Sequence, residues 1–247
     1  MGLRLSLEFM KLKRRFIVLP LVLIIAVGLG WTQVITMTKL TGEQLVLSKF
    51  FDLATINSLI LPLFICVLSA RVMELEHMGK TFKLLQSSNE TPEQLFGAKV
   101  VLMMLFLIPV STLQVGYLVL FAQEHGSLLS FGLLAKFVFS FLFIGLALSM
   151  LHLFLAFAFP KQTVTITAGL IGSFISLVTG GMLPGMVQAF IPWQYYEWIS
   201  PITRNRVGDG FIFELDSCYV QKIGILIFII SLAWLAIQSW FRKVDLL

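Results

Sequence analysis

Residues 100–123 read VVLMMLFLIPVSTLQVGYLVLFAQ and contain no Asp, Glu, Lys, Arg or His. A helix of about 20 apolar residues is long enough to cross a bilayer. Five further runs have the same character, and among them His152 is the one ionisable residue. The predicted spans are residues 16–38, 53–70, 100–123, 137–160, 163–183 and 223–241. The sequence therefore predicts an all-α, polytopic membrane protein that crosses the bilayer six times.

The composition agrees with a membrane protein. Hydrophobic residues make up 58% of the 247-residue chain and charged residues only 13%, whereas a soluble domain contains about 25% charged residues. We therefore expect one transmembrane domain over residues 1–247 and no separate soluble catalytic domain. The net charge of +5 comes from cations in short loops, so we do not expect nucleic-acid binding.

The sequence lacks the patterns of common catalytic and metal sites. Cys66 and Cys218 are too few for a disulfide framework or a metal cluster. The region of Glu74, Glu76 and His77 has no His-Glu-x-x-His pair, and the chain has neither a phosphate-binding Gly-rich loop followed by Lys-Ser/Thr nor a Gly-x-Ser-x-Gly motif. We therefore expect no enzyme activity, metal or cofactor in this chain.

The fifth span at 163–183 belongs to a longer uncharged run, residues 162–196, which is too long for one crossing and too short for two with a turn. Its second half contains Gly180, Gly181, Pro184, Gly185 and Pro192, followed by Trp193, Tyr195, Tyr196 and Trp198. Glycine and proline interrupt helices, and Trp and Tyr favour the membrane–water interface. We expect residues 184–222 to form a broken outer segment that dips into or lies on the membrane surface.

The distribution of Lys and Arg predicts the orientation of the chain. With the N-terminus in the cytoplasm, the cytoplasmic segments contain twelve cations and the outer segments six, among them Lys49. Short cytoplasmic loops are enriched in Lys and Arg. An even number of spans then places the C-terminus, with Arg242 and Lys243, in the cytoplasm as well.

The N-terminal segment has the pattern of an amphipathic helix. Arg4, Glu8, Lys11 and Arg15 form a polar stripe, and Leu5, Phe9, Leu12 and Phe16 form an apolar one. Such a helix lies in the inner headgroup layer, with cations such as Arg4, Lys11 and Arg15 toward anionic lipid. Residues 1–15 are thus a predicted interfacial helix, either a membrane anchor or an elbow that docks on a cytoplasmic partner.

Residues 71–99 form the longest predicted cytoplasmic connection. Leu75, Met78, Phe82 and Leu85 have helical spacing, and Glu76 precedes Lys80 by four residues, the favourable order for a helical ion pair. Thr91-Pro92-Glu93-Gln94 is a helix-start pattern. We expect a helical hairpin, which is either a plain connector or a docking surface for a soluble partner.

Several polar or small residues interrupt the apolar runs. Asn57, Gln114 and His152 are polar, and such residues either hydrogen-bond neighbouring helices or line a substrate path. A small-residue ridge in the fifth run consists of Ala168, Gly169, Gly172, Ser173 and Ser176. This ridge is a candidate packing face, either within the chain or toward a second copy.

Taken together, these features resemble the permease subunits of type-2 ABC exporters. The resemblance rests on Lys-Leu-Lys-Arg-Arg (11–15), the loop sequence Glu-Leu-Glu-His-Met-Gly-Lys-Thr-Phe-Lys-Leu-Leu (74–85), Thr-Pro-Glu-Gln (91–94), Ala-Lys (98–99), the broken outer segment and the ending Phe-Arg-Lys-Val-Asp-Leu-Leu (241–247). It implies that the first cytoplasmic loop contacts an ATP-binding subunit. The coupling residues expected from it are Glu74, Glu76, His77, Lys80, Phe82 and Lys83.

The short chain and the loop sequence are most similar to permeases of lantibiotic self-protection exporters. This resemblance implies that the chain works in a bacterial cytoplasmic membrane, with an ATP-binding subunit that forms a dimer and binds ATP and Mg. It also implies a second permease, homologous or identical, and an antimicrobial peptide as substrate. Two alternatives stay open, namely a type-2 ABC permease for another drug, lipid or polysaccharide, and a membrane scaffold or sensor that does not transport.

Overall fold

The computed structural model describes residues 18–34, 40–78, 91–180, 182–208 and 210–243. In this part of the chain most residues are helical. The predicted interfacial helix at 1–15, with Arg4, Lys11 and Arg15, lies outside the described residues, as do Lys80, Phe82 and Lys83. The main elements are α1 (Val18–Val34), α2 (Gly42–Met78), α3 (Pro92–Glu124), α4 (Phe131–Ala158), α5 (Gln162–Thr179) and α8 (Tyr219–Lys243).

Five of these helices, α2 to α5 and α8, are long and apolar enough to cross a membrane. They bear out the prediction of a helical, polytopic membrane protein. Helix α1 is equally apolar in composition but has 17 residues, just below the usual length for a span. The described residues therefore show five candidate spans, and the sixth stays a prediction.

Helix α2 is much longer than the apolar run that predicted it. It has 37 residues, which corresponds to about 55 Å at 1.5 Å per residue. Its first turns bury Leu45, Val46 and Phe50 among residues of α3 and α4. Lys49 is also buried there; it donates a hydrogen bond to the Thr32 carbonyl oxygen and lies 3.6 Å from Asp52.

The burial of Lys49 and Lys99 lowers both counts of loop cations but leaves the excess on the predicted cytoplasmic side. The prediction that Lys49 is an outer-loop cation was wrong, since this residue is a buried part of α2. Lys99, assigned to the cytoplasmic loop, is likewise buried in α3. Without these two residues the ratio of predicted cytoplasmic to outer cations is eleven to five, so the bias remains.

The start of α3 follows the sequence pattern. Thr91 has extended backbone angles, and its hydroxyl oxygen accepts a hydrogen bond from the Gln94 backbone N–H at 3.3 Å. Pro92 occupies the first turn, where its missing N–H costs nothing. The predicted N-cap is confirmed.

The helix bundle has a basal end and, opposite to it, a hairpin end. Three helices end at the basal end, namely α2 at Met78, α4 at Ala158 and α8 at Lys243. Two helices begin there, α3 at Pro92 and α5 at Gln162. The opposite end is the hairpin end, where a two-stranded antiparallel sheet, β1 (Ile202–Val207) and β2 (Gly210–Leu215), packs on the first turns of α2. The largest core cluster fills the space between the helices, and a second, smaller cluster lies beneath the hairpin.

The segment between α5 and the hairpin is broken into short pieces. These are α6 (Gly185–Gln188), a 3-10 turn (Pro192–Gln194) and α7 (Tyr195–Trp198). We expected its aromatic residues at the membrane surface, but Tyr195, Tyr196 and Trp198 are buried in the main core. The physical reason is that the apolar rings pack against α2 and α4, while the Tyr195 hydroxyl still donates to the Ala189 carbonyl at 2.9 Å.

The β-hairpin was not expected. Its register pairs Ile202 with Leu215 and Val207 with Gly210, and Gly208 takes a positive φ of 60° in the turn, a conformation that glycine adopts without strain. A Gly-Asp pair between two runs with β-forming residues is a hairpin signal. This signal was available in the sequence at residues 202–215.

Candidate coupling site

A buried ion pair joins α2 to α3 at the basal end. Lys99 Nζ lies 3.0 Å from Glu76 Oε1 and donates a second hydrogen bond to the Val72 carbonyl oxygen at 3.3 Å. The two side chains are 0% and 2% exposed. The ammonium group also lies beside the C-terminal end of α2, where the helix dipole favours a positive charge. Residues 79–90 connect the two helices that this pair holds together.

Of the six predicted coupling residues, the structure describes Glu74, Glu76 and His77. Glu74 is half-buried and bonds to Arg71 at 3.1 Å. His77 Nε2 lies 2.9 Å from the Ala156 carbonyl oxygen, which joins the end of α2 to the end of α4. Glu76 is buried, and its carboxylate joins α2 to Lys99 of α3.

Helix α8 joins the same end of the bundle. Arg242 lies 3.9 Å from Glu93 at the start of α3, an exposed pair of small energetic value. The Phe241 ring packs edge-on against Phe157 of α4 and Phe96 of α3, with centroids 4.8 and 5.6 Å apart. The basal ends of α2, α3, α4 and α8 therefore form one connected structure next to residues 79–90.

Helix α2 extends from this basal structure to the hairpin. Near its start, the Gln44 side chain donates to the Phe213 carbonyl at 3.1 Å and accepts from the Phe213 N–H at 2.9 Å. The Gln44 amide thus pairs with the backbone N–H and carbonyl of Phe213, as a neighbouring strand would. Arg204 of β1 lies over the rings of Phe51 and Phe211, 4.8 and 4.7 Å from their centroids. Helix α2 therefore contacts the basal structure near one end and the hairpin near the other.

The polar residues predicted inside the spans do not form one group. Asn57 and Gln114 exchange two hydrogen bonds between their amides, at 2.9 and 2.8 Å, beside a void of about 10 Å³. His152 lies at another interface, where its Nε2 accepts from Trp193 Nε1 at 3.2 Å. Asn57 and Gln114 satisfy each other, so their geometry fits interhelical bonding better than a substrate path.

The small-residue ridge of α5 packs within the chain. A Cβ added to Gly169 would lie 2.3 Å from Cys66 Sγ, and one added to Gly172 would lie 2.1 Å from the Trp193 ring. Ser176 donates to the Trp193 carbonyl oxygen at 3.1 Å. Of the two alternatives for this ridge, the structure therefore shows the intramolecular one. The opposite face of α5 is apolar and exposed, with Leu170, Ile171 and Phe174.

A lateral apolar groove runs between α4 and α8. It has a volume of about 410 Å³, and its lining is almost entirely apolar. Pro192 and Tyr195 line part of it, and Trp240 of α8 is also in its wall. In a membrane such a groove is open to lipid chains or to the apolar part of a bound molecule.

Glu197 is a partly buried titratable group that we did not single out from the sequence. It lies in α7 among aromatic residues, and burial raises the pKa of its carboxyl group, while the positive charge of Arg204 opposes that rise. An acidic residue inside the aromatic run 193–198 was the available signal. Among the described residues, we find no group of three or more His, Cys, Asp or Glu side chains arranged to hold a metal.

The comparison with protein families identifies the class of the molecule. The model of the ABC-2 family transporter protein matches residues 4–176, a stretch that contains α1 to α4, most of α5 and the loop at 79–90. No curated protein matches the chain. With a family match over more than two thirds of its length and five helices suited to a membrane, this chain belongs to the ABC-2 transporter family, as a transmembrane component of a transporter.

Proposed function

We propose that this chain is the permease subunit of a bacterial ABC exporter that expels a lantibiotic or similar antimicrobial peptide from the cell membrane. A separate ATP-binding subunit, acting as a dimer with ATP and Mg, supplies the energy. A second copy or a homologous permease completes the membrane part. In this proposal the basal end and both termini face the cytoplasm.

The observation that supports the coupling role most strongly is the buried Glu76–Lys99 pair. It fixes α2 to α3 directly beside residues 79–90, with both side chains almost inaccessible. A displacement applied to this loop therefore moves both helices together and does not simply bend a flexible connector. Lys80, Phe82 and Lys83 within the loop are the residues that we assign to contact with the ATP-binding subunit.

Helix α2 supplies the route from this contact to the other side of the membrane. It packs against α1, α3, α4 and α5 and holds the hairpin through Gln44. Its length of about 55 Å exceeds the hydrocarbon thickness of about 30 Å. One continuous element can thus transmit a movement from the basal end to the hairpin end.

The lateral groove supports a cargo that enters from the lipid phase. Its lining consists of apolar residues of α4 and α8 together with Pro192 and Tyr195. An amphipathic peptide already in the membrane could place its apolar face there without crossing the lipid headgroups again. This observation favours a hydrophobic or amphipathic substrate over a polysaccharide.

The test of the substrate uses the native host. The gene is inactivated, and growth is measured against a series of lanthionine peptides, with unrelated membrane-active drugs as the comparison. We expect a several-fold lower inhibitory concentration for at least one lanthionine peptide, restored by the wild-type chain. Sensitivity that changes only for the drugs would show that the chain exports another cargo.

A variant pair makes this test specific to coupling. Phe82→Ala alters the proposed contact loop, and Leu128→Ala alters an exposed residue between α3 and α4 at the hairpin end. We expect Phe82→Ala to leave the strain sensitive although the protein reaches the membrane, while Leu128→Ala restores tolerance. Full tolerance with Phe82→Ala would remove that residue from the coupling role.

A further inference from the structure

The last turn of α5 and the turn at 194–197 enclose buried oxygen atoms that lack a donor. Gln194 is 0% exposed. Its Nε2 donates to Thr179 Oγ1, and the Thr179 hydroxyl donates in turn to the Ile175 carbonyl at 2.6 Å. The Gln194 amide oxygen is left buried without a hydrogen-bond partner among the described residues.

Glu197 places a second such oxygen at the same helix end. Its Oε2 is buried without a hydrogen-bond partner in the described part of the chain. This atom lies 2.5 Å from the position that a Cβ on Gly180 would occupy, and the Ser176 carbonyl oxygen lies 3.0 Å from that position. The carboxylate therefore fits against α5 only because residue 180 is glycine.

The surroundings of these two oxygens are electronegative. Gln194 and Glu197 are three residues apart and both approach the end of α5, Gln194 at Thr179 and Glu197 at Gly180. The C-terminal end of a helix bears the partial negative charge of its last carbonyl groups. Arg204 acts on Glu197 at a distance, but it stacks between Phe51 and Phe211 and forms no salt bridge with Glu197 in the described residues.

Buried polar atoms are normally hydrogen-bonded, so Gln194 Oε1 and Glu197 Oε2 are two acceptors for which the described residues supply no donor. Oxygen atoms of carboxylate, amide and carbonyl groups are the ligands that hard cations prefer. The single carboxylate balances one positive charge, whereas calcium sites generally contain several carboxylates.

We propose that Gln194, Glu197 and the end of α5 at Gly180 form a binding site for a small monovalent cation. The cation is either a free alkali ion or a primary ammonium group, such as that of a lysine side chain or a lipid amine. Its role is to neutralise Glu197 and to hold the 192–198 turn against α5 and the Trp193–His152 contact.

The full chain, purified in a neutral detergent, provides the test. Its thermal unfolding midpoint is measured in increasing NaCl, KCl or methylammonium chloride, at constant ionic strength maintained with choline chloride. We expect the midpoint to rise and saturate as at least one of the three test cations replaces choline, which is bulkier than all of them. A response to the alkali salts identifies a free ion, and a response to methylammonium alone identifies an ammonium group.

Three variants make the result specific to the site. Glu197→Gln removes the charge but keeps the shape, and Gly180→Ala displaces the carboxylate while leaving the charge. Glu124→Gln removes an exposed carboxylate at the end of α3 and serves as the control. We expect the first two variants to lose the cation response and the control to retain it.

Two outcomes would overturn the proposal. If the wild-type midpoint is the same in all salts, Glu197 simply holds a proton, and Glu197→Gln, which resembles the protonated acid, should then be indistinguishable from the wild type. If the midpoint rises in proportion to the concentration of all three test cations and does not saturate, the cations act without a binding site. Both results come from the wild-type protein and do not depend on whether a variant folds.

Discussion

Lys99 and Glu76 show how a single ion pair can hold two membrane helices at their ends. Both charges are removed from solvent, and among the described residues Lys99 bonds to Glu76 and to the Val72 carbonyl oxygen. Replacing both members of a buried pair by apolar residues is often neutral, whereas removing one leaves an uncompensated charge. The pair is therefore suited to a double-mutant analysis.

We expect Glu76→Met and Lys99→Met each to lower the free energy of unfolding by about 3–5 kcal/mol. The double variant should recover most of that loss, since neither charge then remains buried. Unfolding of the detergent-solubilised protein by denaturant measures all four species. Two nearly neutral single variants would show that the pair does not hold α2 to α3.

Variants of Asn57 and Gln114 can distinguish interhelical hydrogen bonding from a substrate path. If they serve only to join α2 and α3, Asn57→Ala should cost roughly 0.6–2 kcal/mol of stability, because it leaves the Gln114 amide unpaired. Asn57→Leu combined with Gln114→Leu should be closer to neutral. Unfolding midpoints and export, each corrected for the amount of protein in the membrane, are compared for all variants.

Export should follow the amount of folded protein if the pair is structural. A variant with unchanged stability but lost export would instead assign Asn57 and Gln114 to the substrate path. His152 belongs to a separate test, because it bonds to Trp193 in another interface.

Residue patterns in the sequence indicated which polar groups matter but not their partners. The spacing of Glu76 and Lys80 predicted a local pair, which stays a prediction because Lys80 lies outside the described residues. Nothing in that spacing indicated Lys99, which bonds to Glu76 from 23 positions away. Hydrogen bonding between Asn57 and Gln114 likewise joins two helices. Periodicity reports on neighbours within one helix, so contacts between helices could not be predicted from it.

At the scale of elements, the α2–α5 interface depends on glycine. Gly169 and Gly172 lie where an added Cβ would overlap Cys66 and Trp193. We expect Gly169→Ala and Gly172→Ala to destabilise the protein by about 1–3 kcal/mol, the usual cost of overpacking. Unfolding midpoints measure the effect.

Gly116→Ala in α3 is the matched control, because nothing lies within 4 Å of its added Cβ. This change should be neutral or should stabilise the protein by about 0.5–1 kcal/mol through helix propensity. If all three variants behave alike, then close packing of the ridge does not determine the stability of this interface.

The hairpin depends on one side chain of α2. Gln44→Leu removes both hydrogen bonds to Phe213, each worth about 0.5–1.5 kcal/mol. We expect faster hydrogen exchange at residues 210–215 with little change in the spans. Gln123→Leu, an exposed change at the end of α3, is the control. Unchanged exchange in Gln44→Leu would show that Arg204 and the aromatic contacts alone fix the hairpin.

The apolar runs predicted where the long helices lie, because a span must be uninterrupted by charge. They could not predict the first turns of α2, where Glu43, Lys49 and Asp52 interrupt the run. Lys49 is tolerated there because a carbonyl, a carboxylate and the Phe121 ring surround it. Such compensation comes from other elements and leaves no local pattern in the sequence.

At the scale of the whole molecule, composition and the apolar runs indicated a polytopic membrane protein. The resemblance to type-2 ABC permeases indicated a transporter subunit, and the family match bears out that class. The proposed transmission of movement along α2 could not be predicted from the sequence. It depends on α2 contacting the basal structure at one end and the hairpin at the other. The exposed apolar faces of α5 and α8 are suited to lipid or to a second permease.

Photo-crosslinking in the native host tests most directly the claim that a separate ATPase moves this molecule from its basal end. A photoreactive amino acid is placed at Phe82 in the proposed contact loop and, as control, at Leu128 between α3 and α4. We expect illumination to link position 82, and not position 128, to an ATP-binding ABC subunit. No such product at position 82, or equal products at both positions, would contradict the account.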